Sequence, residues 1–179
     1  MKIKLLWILF LSVLSCSVWA SNYPTFTLLN NSVQATFPSL PKEYDLSGYQ
    51  KYVPGLRMFA AGDVPNKAVY ILRYREFEQD KDVGAYNQKI KGMLDWSLKK
   101  SFEASGGILD EFTSIFDRKR NIYKAEFSGR YLEEGIWRYK SAIQIIYKRR
   151  VYDWSVMYPD KSLKWEYFDK YKSEFKVFK

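Results

Sequence analysis

The chain has 179 residues, with 29 Lys and Arg against 20 Asp and Glu, a formal net charge of +9, one cysteine and no histidine. Without an imidazole, hydrolase arrangements that need a histidine base and histidine-containing zinc sites are both excluded. With Cys16 as the only thiol, disulfide frameworks and multi-cysteine metal centres are excluded as well.

Lys2 and Lys4 flank the start of an apolar run that reaches Leu14, and Val18-Trp19-Ala20 offers a small-x-small cleavage site before Ser21. This is the layout of a secretory signal peptide over residues 1–20. The run is shorter than the ~20 residues of a transmembrane helix. The chain is therefore expected to be exported, to the periplasm or the extracellular space. Residues 21–179 are expected to form a single domain with no transmembrane segment. Cleavage would remove Lys2 and Lys4, taking the formal charge from +9 to +7, and would leave no thiol. Val13-Leu14-Ser15-Cys16 permits a second route, because it looks like a bacterial lipobox with Cys16 as the acylated residue. Leu14 stands where that pattern more often has a small residue, so ordinary cleavage is preferred.

Residues 23–29 read as a strand, Asn30 and Asn31 as a tight turn, and 32–37 as the returning strand. Pro38 and Pro41 end that hairpin, since proline removes ladder donors. The stretch 42–55 reads as a loop. Residues 56–61 and 67–77 read as strands. In the second, Val69, Ile71 and Arg73 face one way and Tyr70, Leu72 and Tyr74 the other, with both faces expected to be covered and the charges from Arg73 onward marking an exit to solvent. A helix is expected over 84–104, with the stripe Tyr86, Ile90, Met93, Leu94, Leu98 and Phe102, stopped by Ser105-Gly106-Gly107. Strands follow at 108–116 and 122–128, a connection at 129–135, then a long strand to Tyr147 and another over 151–158. Asp160 can cap a terminal helix whose stripe is Leu163, Tyr167, Phe168, Tyr171 and Phe175.

Two amphipathic helices can cover opposite faces of one antiparallel sheet. The expected class is α/β (α+β), a three-layer α/β/α arrangement with an antiparallel meander between the helices. Phe37-Pro38-Ser39-Leu40-Pro41 resembles the Phe-Pro-Gly-x-Pro segment after the first hairpin of Mog1/PsbP-like proteins, with Ser39 in place of the glycine. Asp169-Lys-Tyr-Lys-Ser-Glu-Phe-Lys-Val-Phe178 resembles their terminal helix and its Ser-Phe-Lys ending, with Glu174 intervening. The resemblance implies the same three layers, and a binding, scaffolding or assembly role. Fold does not select among these roles.

Basic residues cluster in two expected turns, Arg118-Lys119-Arg120 and Lys148-Arg149-Arg150. If these hairpins neighbour each other, their tips form an anion-binding patch; otherwise they are solvated tips. Trp96 and Trp165 fall off their helical stripes, and Tyr44, Tyr49 and Tyr52 punctuate the 42–55 loop. These five are contact candidates, because Trp and Tyr are enriched at interface centres. Most of the 15 Tyr, 12 Phe and 6 Trp are expected in a β-rich core. The acidic pairs Asp110-Glu111 and Glu133-Glu134 are adjacent in sequence, so neither alone supplies two facing carboxylates. No cofactor, metal or catalytic residue is assigned. The expected function is an exported, non-enzymatic interaction module. Its partner is a protein or an anionic small molecule, glycan or envelope component, with carboxylate hydrolysis as a weaker alternative and nucleic acid disfavoured.

Overall fold

The computed structural model describes residues 23–77 and 88–178. The leader, the Cys16 lipobox, Tyr86 and the expected start of the long helix lie outside them. The first hairpin pairs β1 (Thr25–Leu28) with β2 (Val33–Thr36). Its turn carries Leu29, Asn30 and Asn31 at positive φ, a backbone region that asparagine tolerates better than most residues. β3 (Lys42–Glu43) falls inside the stretch expected as loop, because its backbone completes a ladder along β4 (Arg57–Asp63). β5 (Ala68–Glu76), α1 (Gln88–Ala104), β6 (Gly107–Asp117), β7 (Ile122–Glu133), β8 (Ile136–Tyr147), β9 (Arg150–Tyr158) and β10 (Lys176–Val177) follow. Seven strands form one antiparallel sheet in the order β3-β4-β5-β9-β8-β7-β6, and β1-β2-β10 form a second.

β7 runs through the expected 129–135 connection, pairing Gly129 with Lys140 and Tyr131 with Arg138, so the connection shrinks to Glu134 and Gly135. Both have positive φ, 50° and 78°, as a tight two-residue hairpin requires. Gly129 serves close approach rather than a turn. A Cβ there would lie 2.5 Å from the Ile108 carbonyl oxygen and 2.7 Å from the Phe102 ring.

Strand alternation sends Tyr70, Leu72, Tyr152, Trp154 and Val156 to one face of the large sheet. The opposite face presents Tyr123, Ala125, Phe127, Ala142 and Ile146 to Leu98 and Phe102 of α1. Of the helical stripe, Leu98 and Phe102 are buried, Ile90 and Leu94 are half-buried, and Met93 turns out to solvent.

The second outer layer is not a helix, and the expected α/β/α arrangement is corrected accordingly. Opposite α1 lie β1-β2-β10 and a succession of short turns, 3-10 at Lys161–Leu163 and Lys172–Glu174 and a π turn at Trp165–Asp169. The physical reason is the width of the aromatic side chains that this segment buries. Phe168 and Phe175 both stack on Trp154, at 5.7 and 6.0 Å between centroids, and Tyr171 stacks on Tyr23 at 5.3 Å. Adjacent Tyr167 and Phe168 are both buried, whereas neighbours on a regular α-helix diverge by ~100°. The π turn, closed by the Lys170 N–H on the Trp165 carbonyl at 3.0 Å, lets both point inward. The sequence stripe therefore names the buried residues but not their backbone. No helix among the described residues is long and apolar enough to cross a membrane.

Candidate functional site

α1 leans toward one side of the sheet. Lys91 reaches Ser114 on β6, Asp95 accepts from the Tyr123 hydroxyl at 2.7 Å, and Phe102 meets the Phe127 ring edge-on at 6.0 Å. The β5 and β9 side of the same face is left less covered. Val69 and Arg73 are exposed there, contrary to the expectation that both faces of β5 are covered. The result is a cleft of about 490 Å³ between α1 and strands β5, β9, β8 and β7, within the roughly 300–1,000 Å³ of small-molecule sites.

Register places the polar groups. Arg73 pairs with Asp153, and Asp153 with Gln144. One step toward the β5 end, Arg75 pairs with Val151, which pairs with Ile146. Arg73 donates to Asp153 Oδ1 from Nη2 at 3.0 Å and from Nε at 3.3 Å. Asp153 is buried, and Arg73 keeps 44% of its side chain exposed at the cleft mouth. Burial pushes the Asp153 carboxyl up, but Arg73 and Lys140 together outweigh it and hold it below its ordinary range. Lys140 is half-buried and points its ammonium toward the Phe127 ring at 6.0 Å. Desolvation lowers its pKa; Asp153 opposes that shift and Arg73 adds to it. Lys140 makes no direct ion pair with any described residue. The Arg75 guanidinium lies over Phe77 at 4.7 Å, with its buried Nε lacking a hydrogen-bond partner. Among the described residues, three cations thus face one carboxylate in the cleft.

No family model matches the chain, and no curated protein matches it. Among solved structures, it is similar to the cyanobacterial PsbP protein (CyanoP) of Synechocystis, with 14% identity, a TM-score of 0.55, and coverage of 90% of this chain and 96% of that one. The chain has a PsbP-like fold. A protein from Bacteroides thetaiotaomicron (13% identity, TM-score 0.47, 87% of this chain and 48% of that one) and a Pseudomonas aeruginosa protein of unknown function (10%, 0.42, 79% and 85%) are also similar.

On this PsbP-like framework the two basic turns lie at the same end of the sheet, because Ile122 pairs with Tyr147. Several of their charges are already matched. Arg150 and Arg149 approach Glu76 at 3.3 and 3.9 Å, Arg120 approaches Asp117 at 3.7 Å, and Lys148 lies over the Tyr147 ring at 5.3 Å. Arg118 and Lys119 are exposed at the tip. Trp96 and Trp165 are 65% and 66% exposed but belong to layers on opposite sides of the sheet, so the fold does not bring them together. Tyr44, Tyr49 and Tyr52 are exposed along the segment between β3 and β4. Asp110 and Glu111 are engaged by Lys161 and Lys164, and Glu133 by Arg138. No metal-binding cluster of acidic residues occurs among the described residues.

The sequence reading missed Arg73, Arg75, Lys140, Gln144 and Asp153 as a group. One signal was available: a lone aspartate between Tyr152 and Trp154 in an otherwise apolar strand. A carboxylate there needs a cationic partner on a neighbouring strand. Arg73 is that partner, with the rest of its side chain exposed at the cleft mouth.

Proposed function

We propose that this chain is an exported, non-enzymatic binding module, and that the cleft beside α1 is where it takes an anionic small molecule. The observation that supports this reading is the cleft's charge imbalance: among the described residues Lys140 and Arg75 have no carboxylate in direct contact, while Asp153 is occupied by Arg73. A desolvated cation without a counter-charge is unfavourable to the fold and favourable to an incoming anion. Calorimetric titration of the purified protein with small carboxylates and phosphates should give Lys140-dependent binding that weakens with added salt. Lys140→Gln should lower affinity about tenfold, and Lys119→Gln at the hairpin tip should leave it unchanged. Equal affinities in both variants would move the site elsewhere.

Export and the single-domain organisation of residues 21–179 belong to the same proposal. They rest on the charged and apolar leader and on the absence of a second long apolar run in the sequence. Mass spectrometry of the protein from cells should find Ser21 at the N-terminus. An acylated Cys16 would make it a lipoprotein, and an intact Met1 in the cytoplasm would sink the export claim. A second reading, a protein partner, is favoured by the exposure of Trp96 and Trp165. It predicts that alanine at either position weakens capture of a specific partner while leaving anion binding intact.

A further inference from the structure

The cleft is long and uneven. It follows α1 from Leu94 to Phe102 and ends at Ser105 just past the helix, so the helical part alone is about 12 Å at 1.5 Å per residue. Its polar groups are concentrated in one part. Arg73, Asp153 and Gln144 form one cross-strand row, and Lys140 lies on β8 beyond that row, on the side away from Ile146. The other end is walled by Leu56, Phe77, Leu94, Ile146 and Val151. Arg75 at this end holds its guanidinium over the Phe77 ring, so its stem adds to the wall. At the polar end Arg73 and Lys140 outnumber Asp153 by a single positive charge. That excess matches a monovalent head rather than a phosphate dianion.

We propose that the cleft binds a long-chain alkyl carboxylate, with its head seated between Lys140 and Arg73 and its chain laid along Leu94, Ile146 and Val151 toward Phe77. This rests on the cleft being the anion site, and it adds the tail. A mobile polar ligand would leave the apolar wall in water, whereas an alkyl chain buries it. The rim serines Ser97 and Ser101 on α1 are exposed and lie beside the course of the chain.

The test is calorimetric titration of the purified protein with octanoate, decanoate and dodecanoate below their micelle thresholds. Acetate, dodecyl phosphate, dodecanedioate and dodecyltrimethylammonium serve as comparisons. Burying a methylene should tighten binding about fourfold per carbon, until the cleft is filled. Dodecanoate should bind at least a hundredfold more tightly than octanoate, and more tightly than dodecyl phosphate. The cationic amphiphile should not bind. Lys140→Gln should weaken dodecanoate at least tenfold. Ser97→Trp, at an exposed position that leaves the core untouched, should block long chains but spare acetate. Lys140-dependent binding with no dependence on chain length would overturn the tail while leaving the anion site standing. Preference for dodecyl phosphate would overturn the monovalent head. Tighter binding of dodecanedioate would make Arg75 a second anion seat and overturn the monocarboxylate. No binding of any anion would overturn both this inference and the cleft as the ligand site.

Discussion

Asp153 sits between two buried aromatic residues on the central part of the sheet, and Arg73 is what makes a charge tolerable there. Its carboxyl is held below the ordinary range against the opposing effect of burial. A depressed carboxylate contributes stability that is fully present above its unfolded pKa, roughly 3.9. That stability is lost as pH falls through the lower folded value. Asp153→Asn should therefore destabilise the protein at pH 7 by about 2–3 kcal/mol, less than the roughly 3–5 for breaking a fully buried pair, because Arg73 still touches water. Urea unfolding at pH 7 and again near pH 3 checks this. The gap between variant and wild type should shrink at the lower pH, and a constant gap would mean that charge is not the cause.

At the scale of elements, α1 is fixed to the sheet where Phe102 enters the space left by Gly129 and Gly107. Gly129→Ala should cost about 1–3 kcal/mol through overpacking. It should also shift α1 relative to β7, seen as altered methyl resonances at Leu98 and Leu94. An unperturbed helix and an unchanged melting curve would show that Phe102 has room to spare. The same glycine explains one misreading. Gly129 looks like turn chemistry in sequence, and only the approach of Phe102 and the Ile108 carbonyl reveals it as a strand residue. Strands β4, β5, β8 and β9 were legible as runs rich in apolar and aromatic residues between turn signals, and the buried half of α1 was legible from its 3.6-residue spacing. The terminal segment was legible as an apolar stripe but not as backbone, since stacking on Trp154 overrides the local helical preference. The cleft was not legible at all: Arg73 and Asp153 are 80 residues apart, and only the β5–β9 register puts them side by side.

At the scale of the whole molecule, the first and last described strands close one core together. β10 pairs with β2, placing Val177 opposite Val33, and Glu174 accepts from the Thr36 and Thr25 hydroxyls. Phe175 is buried against Trp154. Phe175→Ala should cost about 3–5 kcal/mol, and removal of residues 172–179 should cost more, because β2 then also loses its outer ladder. Chemical unfolding of both variants measures this, with the truncation expected to have the lower midpoint; a truncated chain as stable as the wild type would show that β10 is ornamental to the core. The pairing also sets an order of events. A polypeptide synthesised N-terminus first presents β1 and β2 before the large sheet is complete, and Phe175 and β10 only after it. Until Phe175 and β10 arrive, Trp154 has only part of its aromatic cover and the small sheet has no third strand. The fold thereby postpones its own locking until β2 and Trp154 receive their late partners, β10 and Phe175.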